Sequence, residues 1–325
     1  MALVVDIQKA SMPIIWVDTS ILFIMARLRA GRSVQEDQAQ RIQRLYDLLY
    51  KAVREKKVIC PETEQREECL GDRSAFRDTS LGLSLGIRSK AYYEIEEYQC
   101  RNHIDAYCAE ADSISMSYHE AFFEDPVDII ERQEPLIIDR DIGRLEFDES
   151  FIESRNRLVE KLESLRQNLR ERDVSFEDQL ENEKNGENEG VSTALRVFDN
   201  DEASLTYDHI CILQTYYDRI AYFSRKSGNA DDVEGYHRFQ KSDYYYKIPN
   251  IDIKSKLMAK MITGDREIDT GDSYDINHAS HTIPYADIFI TDRFMKHQIN
   301  SLAIDELYNC KVLYSGDIDE IEAII

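Results

Sequence analysis

The stretch Gly271–Ile299, GDSYDINHASHTIPYADIFITDRFMKHQI, decides the fold. Its short apolar run, Ile288-Phe289-Ile290, reads as a strand buried on both faces. Thr291 and Asp292 follow at the carboxyl end of that strand, and Asp272, Asp275 and Asp287 precede Asp292 within the same stretch. In an open parallel α/β sheet, ligands sit beyond the carboxyl ends of the strands. Asp292 therefore stands where a functional carboxylate belongs. It also stands where a helix starting at Arg293 needs an N-cap, for which Asp is a favoured residue. Both readings remain open on this stretch alone.

Ile14-Ile15-Trp16-Val17 is a second run of the same kind, followed by Asp18-Thr19-Ser20 and a short apolar helix, Ile21 to Met25. A second aspartate thus sits at a strand end. Gln35–Lys57 carries Ile42, Leu45, Tyr46, Leu49, Ala52 and Val53 at helical spacing. Val58-Ile59-Cys60 reads as a strand, and Pro61 as the first turn of a further helix. That helix opens with acids, Glu62, Glu64, Glu67 and Glu68; Glu64 and Glu68, four apart, share a face. Alternating strands and helices predict a parallel α/β sheet.

From Ala91 to Met261 strand-like runs nearly vanish, and charged, Tyr-rich helical text takes over. Glu149–Arg172 is the strongest helix, with a stripe of Leu158, Leu162, Leu165 and Leu169. Its charged face, including Lys161 and Arg166, reads as solvated, with a groove lining as the minority reading. Leu180–Gly190 is polar and reads as a mobile acidic loop or a hairpin tip. Tyr244-Tyr245-Tyr246 before Lys247 reads as packed tyrosines before base-stacking ones. The expected layout is a core of 1–90 and 262–325 interrupted by a mostly helical insertion, 91–261.

The chain has 325 residues and a formal net charge of −23, which implies no broad phosphate-binding surface and leaves room for a local basic groove. Its six cysteines form no CxxC pair and read as reduced thiols in the cytoplasm. No signal peptide or membrane span is read from the sequence.

No Ser-His-Asp or Cys-His order stands out, and there is no phosphate-cradling glycine loop. Carboxylates gathered from several strand ends repel one another unless cations are present. Oxygen ligands suit Mg²⁺ or Mn²⁺, ions that activate water for in-line attack on a phosphodiester. Chemistry alone thus points to a divalent-metal phosphoester hydrolase.

Three segments resemble the PIN-domain nucleases. Ile15-Trp16-Val17-Asp18-Thr19-Ser20-Ile21-Leu22 resembles the opening strand with its first aspartate. Cys60-Pro61 and the acidic helix resemble the second motif. Tyr274-Asp275-Ile276-Asn277-His278 with Pro284-Tyr285-Ala286-Asp287-Ile288-Phe289-Ile290-Thr291-Asp292-Arg293 resembles the closing motifs of a bacterial PIN-like branch. About the first ninety and last sixty residues are covered; the middle is unmatched.

The resemblance implies a three-layer α/β/α domain with a central parallel sheet, an acidic pocket for Mg²⁺ or Mn²⁺, and endonuclease activity on single strands, RNA before DNA. By position it makes Asp18, Glu68, Asp275 and Asp292 the catalytic and metal-binding acids, with Glu64 and Glu67 as alternatives for the helix acid. Ser20, Glu64, Asp272 and Asp287 would support them, Asp287 as a structural hydrogen-bond acceptor. His278 is expected to be buried and satisfied. Arg293 and Lys296, directly after the strand end, would meet nucleic acid. A toxin or antiviral effector is one setting for such a ribonuclease, with a regulatory protein or a second copy of the chain as a further partner. The competing reading is a catalytically inactive PIN-like scaffold that binds a protein through its insertion. An aspartyl-phosphate phosphatase needs a second Asp two positions after the first, where this chain has Ser20.

Overall fold

The structure, a computed structural model, describes residues 3–65, 73–132, 149–200 and 205–325. In chain order the first elements are β1 Val4–Gln8, β2 Ile15–Val17, α1 Thr19–Arg29, α2 Glu36–Arg54, α3 Arg73–Ser84, α4 Tyr92–Cys108, β3 Ser113–Ser117, α5 Pro126–Arg132 and α6 Glu149–Glu171. There follow α7 Phe176–Lys184, α8 Gly186–Asn200, α9 Tyr207–Ser227, α10 Val233–Gln240, α11 Asp243–Tyr246, α12 Pro249–Thr263 and α13 Asp272–Thr282. The chain closes with β4 Ile288–Thr291, α14 Arg293–Ser301, α15 Ile304–Leu307, β5 Lys311–Tyr314 and α16 Ile318–Ile324.

The chain forms two compact units. The sheet unit comprises Ile7–Ile95, Ser117–Lys161 and Asp269–Ile325; the helical unit comprises Met1–Asp6, Glu96–Met116 and Leu162–Ile268. The expected insertion, 91–261, is therefore only partly one body. The segment after Ser117 groups with the sheet, where Arg155 of α6 donates to the Thr270 carbonyl (2.9 Å) and covers the Tyr274 ring.

In the sheet unit, β2, β4 and β5 form a parallel sheet with β4 in the middle. β2 and β4 are buried along their whole length, as parallel strands covered on both faces must be. Alternation sends Ile15, Val17, Ile288 and Ile290 to one face. There they meet Ile21, Leu22 and Met25 of α1, Leu45 and Leu49 of α2, Phe76 of α3 and Ile321 of α16 in one core. Trp16 and Phe289 take the other face and stack at 4.5 Å.

The expected strand Val58–Cys60 shrinks to a single parallel bridge, Ile14 to Ile59. Pro61, without an N–H, cannot extend the ladder. Nor does Pro61 open a helix: Glu62 bridges Arg88, and helical backbone begins at Gln65.

In the helical unit, Ile104, Tyr216, Ile220, Phe223, Tyr236, Phe239 and Tyr245 make a largely aromatic core. The packed reading of Tyr245 holds; it is buried. Leu180–Gly190 is not a loop. α7 runs to Lys184 and α8 begins at Gly186, because Ser175 and Asp178 form a reciprocal capping box and Gln179 donates to Glu183 (2.6 Å). The reading of α6 also changes. Leu158 and Leu165 are exposed, whereas Arg166 is buried. Arg166 donates to the Met261 carbonyl (3.0 Å) and Arg170 to the Gly264 carbonyl (2.8 Å), so these basic side chains satisfy carbonyls at the end of α12. β3, in the stretch read as purely helical, pairs with β1. Among the described residues no helix is long and apolar enough to cross a membrane.

Candidate functional site at two adjacent strand ends

The register pairs Val17 with Ile290, and the Asp18 N–H donates to the Ile290 carbonyl (2.8 Å). Asp18 and Asp292 therefore lie at the carboxyl ends of neighbouring parallel strands. Each also caps a helix. Asp18 Oδ1 accepts the Ser20 N–H (2.8 Å) at the start of α1, and Asp292 Oδ1 accepts the Met295 N–H (2.7 Å) at the start of α14. Cap and strand-end carboxylate are two descriptions of the same placement.

The two acids differ in environment. Asp292 is exposed, whereas Asp18 is 1% exposed. Burial pushes the Asp18 carboxyl above the usual carboxylate range. The Ser20 N–H, the Thr291 hydroxyl donating to Oδ2 (2.8 Å) and the neighbouring His278 oppose that shift. Thr291 comes from β4, so Asp18 is held by both strands.

Behind Asp18 runs a chain of hydrogen bonds. Trp16 Nε1 donates to Thr63 Oγ1 (3.4 Å), and Tyr92 Oη donates to the same oxygen (3.2 Å). Tyr92 Oη also meets His278 Nδ1, and His278 Nε2 meets Thr19 Oγ1 (3.4 Å). Tyr92 and Thr19 thus hold the two ring nitrogens of His278, with the donor roles set by the tautomer. The ring is further fixed by Trp16, whose centroid lies 5.2 Å away. The expectation that His278 is buried and satisfied agrees with this arrangement.

The remaining acids divide. Asp275 is half-buried in the first turn of α13, three residues before His278 and on the same face. Asp272 is buried, and its Oδ2 accepts the Asp269 N–H (2.7 Å), closing the turn into α13. Glu64 does not support the strand ends through its Oε1, which accepts the Tyr92 N–H (3.0 Å) at the start of α4. Asp287 stands at the amino end of β4, where Oδ2 accepts the Ile14 N–H (2.8 Å). Burial raises its pKa, opposed by that bond and by Lys9. The structural role expected for Asp287 matches this geometry. Glu67 and Glu68 lie outside the described residues.

Of the two expected nucleic-acid contacts, Arg293 is exposed. Lys296 is not free to reach out: its ammonium is paired with Asp317 and lies over the Tyr314 ring.

Sequence reasoning missed Thr291, Tyr92 and Lys9. Lys9 Nζ donates to the carbonyls of Pro284 (3.0 Å) and Ala286 (2.7 Å), pinning the entry to β4. Thr291 carried a signal, a hydroxyl adjoining Asp292. Tyr92 carried none, being 186 positions from His278.

Among the described residues no group of three or more His, Cys, Asp or Glu side chains is close enough to hold a metal ion. Mg²⁺ needs less from a protein: one or two carboxylates, with waters and substrate phosphates completing its shell. The Asp18 carboxylate accepts from the Ser20 N–H on Oδ1 and from the Thr291 hydroxyl on Oδ2. Asp18 and Asp292 fit such an ion in donor chemistry. Comparison of the chain with protein-family models, with curated proteins and with solved structures finds no match.

Proposed function

We propose that the protein is a divalent-metal-dependent endonuclease of the PIN-like kind, with a three-layer α/β/α core, acting on single-stranded RNA in preference to DNA. The observation that carries this reading is the pairing of Asp18 and Asp292 at adjacent carboxyl ends of parallel strands, one buried and held on both oxygens, the other open to solvent. A bound Mg²⁺ or Mn²⁺ there supplies Lewis-acid activation of water and charge neutralisation on the phosphodiester.

The protein's own residues set the geometry. Thr291 and the Ser20 N–H hold the Asp18 carboxylate in a single orientation. Asp292 is held by its cap bond to Met295 and is exposed. His278, aligned by Tyr92, orients the Thr19 hydroxyl beside Asp18. Arg293 follows Asp292 directly and offers a cation to the phosphate backbone.

The test is incubation of the purified protein with labelled single-stranded RNA and DNA, in Mn²⁺ or in EDTA. RNA cleavage in Mn²⁺ that stops in EDTA and in Asp18→Asn supports the reading; none in any condition removes it. A second reading, an inactive scaffold that binds protein, is favoured by one observation. α9 leaves Tyr207, Ile210 and Tyr217 exposed, an apolar edge suited to a partner. That reading expects no cleavage, and partner binding that Tyr217→Ala weakens.

A further inference from the structure

The helical unit contains a cleft of about 450 Å³ that the strand-end chemistry does not use. That volume lies within the range of small-molecule sites, which often form between packed helices. α12 packs against α7 and lines the cleft with Ile251, Lys254 and Met258, which stand three and four apart and share a face. α7 adds Glu183 and Lys184 from its last turn, and α9 adds Ile212.

Acid and base stand side by side in this cleft. Glu183 adjoins Lys184 in sequence and lies within electrostatic range of Lys254. Glu183 Oε1 accepts from Gln179 Nε2 (2.6 Å), yet none of these three charged side chains forms an ion pair among the described residues. Burial pushes the Glu183 carboxyl upward; Glu189 adds to the shift, and the Gln179 bond and Lys254 oppose it. A half-buried carboxylate without an ion pair gains from a cation brought by a ligand. Lys254 is exposed, and Lys184 lies 5.4 Å from the Tyr246 ring centroid. Arg219 and Glu96 also line the wall, but Arg219 is bound to Glu97 (2.7 Å) and Glu96 has a partner of its own.

The ligand that matches carries a cation and an anion close together, beside an apolar group. We propose that this cleft binds a free α-amino acid with a large apolar side chain, its ammonium on the Glu183 carboxylate, its carboxylate on Lys184 and Lys254, and its side chain against Ile212, Ile251 and Met258. An ammonium on a carboxylate is a charge-assisted hydrogen bond, stronger than a neutral one. The lysines answer the opposite charge as compact point charges. Met258, unbranched and polarizable, adapts to side chains of different shape, so leucine, methionine and phenylalanine fit where glycine has nothing to bury. The site lies wholly within the helical unit and does not depend on the nuclease reading.

Isothermal titration of the whole chain in EDTA, with leucine, methionine, phenylalanine, glycine, N-acetyl-leucine and leucinamide, tests it. Saturable binding of at least one large apolar amino acid is expected, and none of glycine. N-acetyl-leucine lacks the ammonium and leucinamide the carboxylate, and each should bind about tenfold or more weaker than leucine, the loss of one charge-assisted contact. Glu183→Gln keeps an acceptor for Gln179; it should weaken leucine about tenfold and leave N-acetyl-leucine unchanged. Lys254→Met should weaken leucine about threefold or more, with Lys184 still in place, and leave leucinamide unchanged. Because Lys254 is exposed, its variant remains informative if circular dichroism shows Glu183→Gln unfolded. Asp18→Asn should bind leucine like the parent. The proposal is overturned if none of the three large apolar amino acids binds, or if glycine, N-acetyl-leucine or leucinamide binds as tightly as leucine. It is equally overturned if folded Glu183→Gln or Lys254→Met binds leucine unchanged, or if Asp18→Asn abolishes binding.

Discussion

Asp18 is both a cap and a buried carboxylate, and its titration separates the two contributions. Its folded-state pKa is raised above the unfolded value by burial. The stability it lends is therefore full below the unfolded pKa, near 3.9, and is lost as pH rises through the folded one. At pH 7 in EDTA the buried carboxyl therefore opposes folding relative to a neutral side chain. Asp18→Asn should leave the metal-free Tm at pH 7 level or higher. It should also lower cleavage at least about a hundredfold, beyond the effect of an outer-shell partner of a metal. Calorimetry beside a cleavage assay checks both; a lowered Tm with retained cleavage would reduce Asp18 to a helix cap. His103 runs the other way. It is buried against the Tyr244 carbonyl, its Nε2 has no partner among the described residues, and burial lowers its pKa to about 4. Its neutral form stabilises the fold above pH 6.5, and that stability drains as pH falls toward about 4, on the order of 3 kcal/mol in all. His103→Gln should flatten the pH 4–6.5 limb of denaturant-melt stability.

At the scale of elements, β2, β4, α2 and α6 were legible because each carries a strong period or an unbroken apolar run. α7 and α8 were not, because their stability comes from caps and side-chain hydrogen bonds between polar residues, which read as loop in composition. The burial of Arg166 was illegible for a related reason: its partner is a backbone carbonyl of α12, and carbonyls have no letter in a sequence. Asp18 and Asp292 could be found because strand ends can be found. The Tyr92–His278–Thr19 chain could not, since it joins three elements by tertiary contact alone. It carries its own prediction. Tyr92→Phe removes the hydroxyl partner of His278 Nδ1 and should slow cleavage about tenfold or more with little change in substrate binding. A changed affinity at constant turnover would place Tyr92 elsewhere in the mechanism. Asp287→Ala removes the acceptor of the Ile14 N–H and should cost about 1–3 kcal/mol in urea melts without touching metal dependence.

For the molecule as a whole, a net charge of −23 sets the terms on which nucleic acid approaches. Arg293 is the exposed cation beside the strand ends, so Arg293→Ala should weaken binding of all single strands alike and reduce the salt slope by about one. Titration at several salt concentrations measures this; an unchanged slope would move the contact surface to the helical unit. α1 and α14 both begin at the paired strand ends, so their peptide dipoles direct two positive poles of about half a charge each toward that one spot. With a divalent cation held by the Asp18 and Asp292 carboxylates, as the proposed function requires, a phosphate would meet a short-range attraction inside a long-range repulsion. Salt screens the distant charges first, over a Debye length of about 8–10 Å, and leaves the near ones in place. Adding salt to a dilute buffer should therefore strengthen binding before weakening it, so that affinity peaks at an intermediate ionic strength.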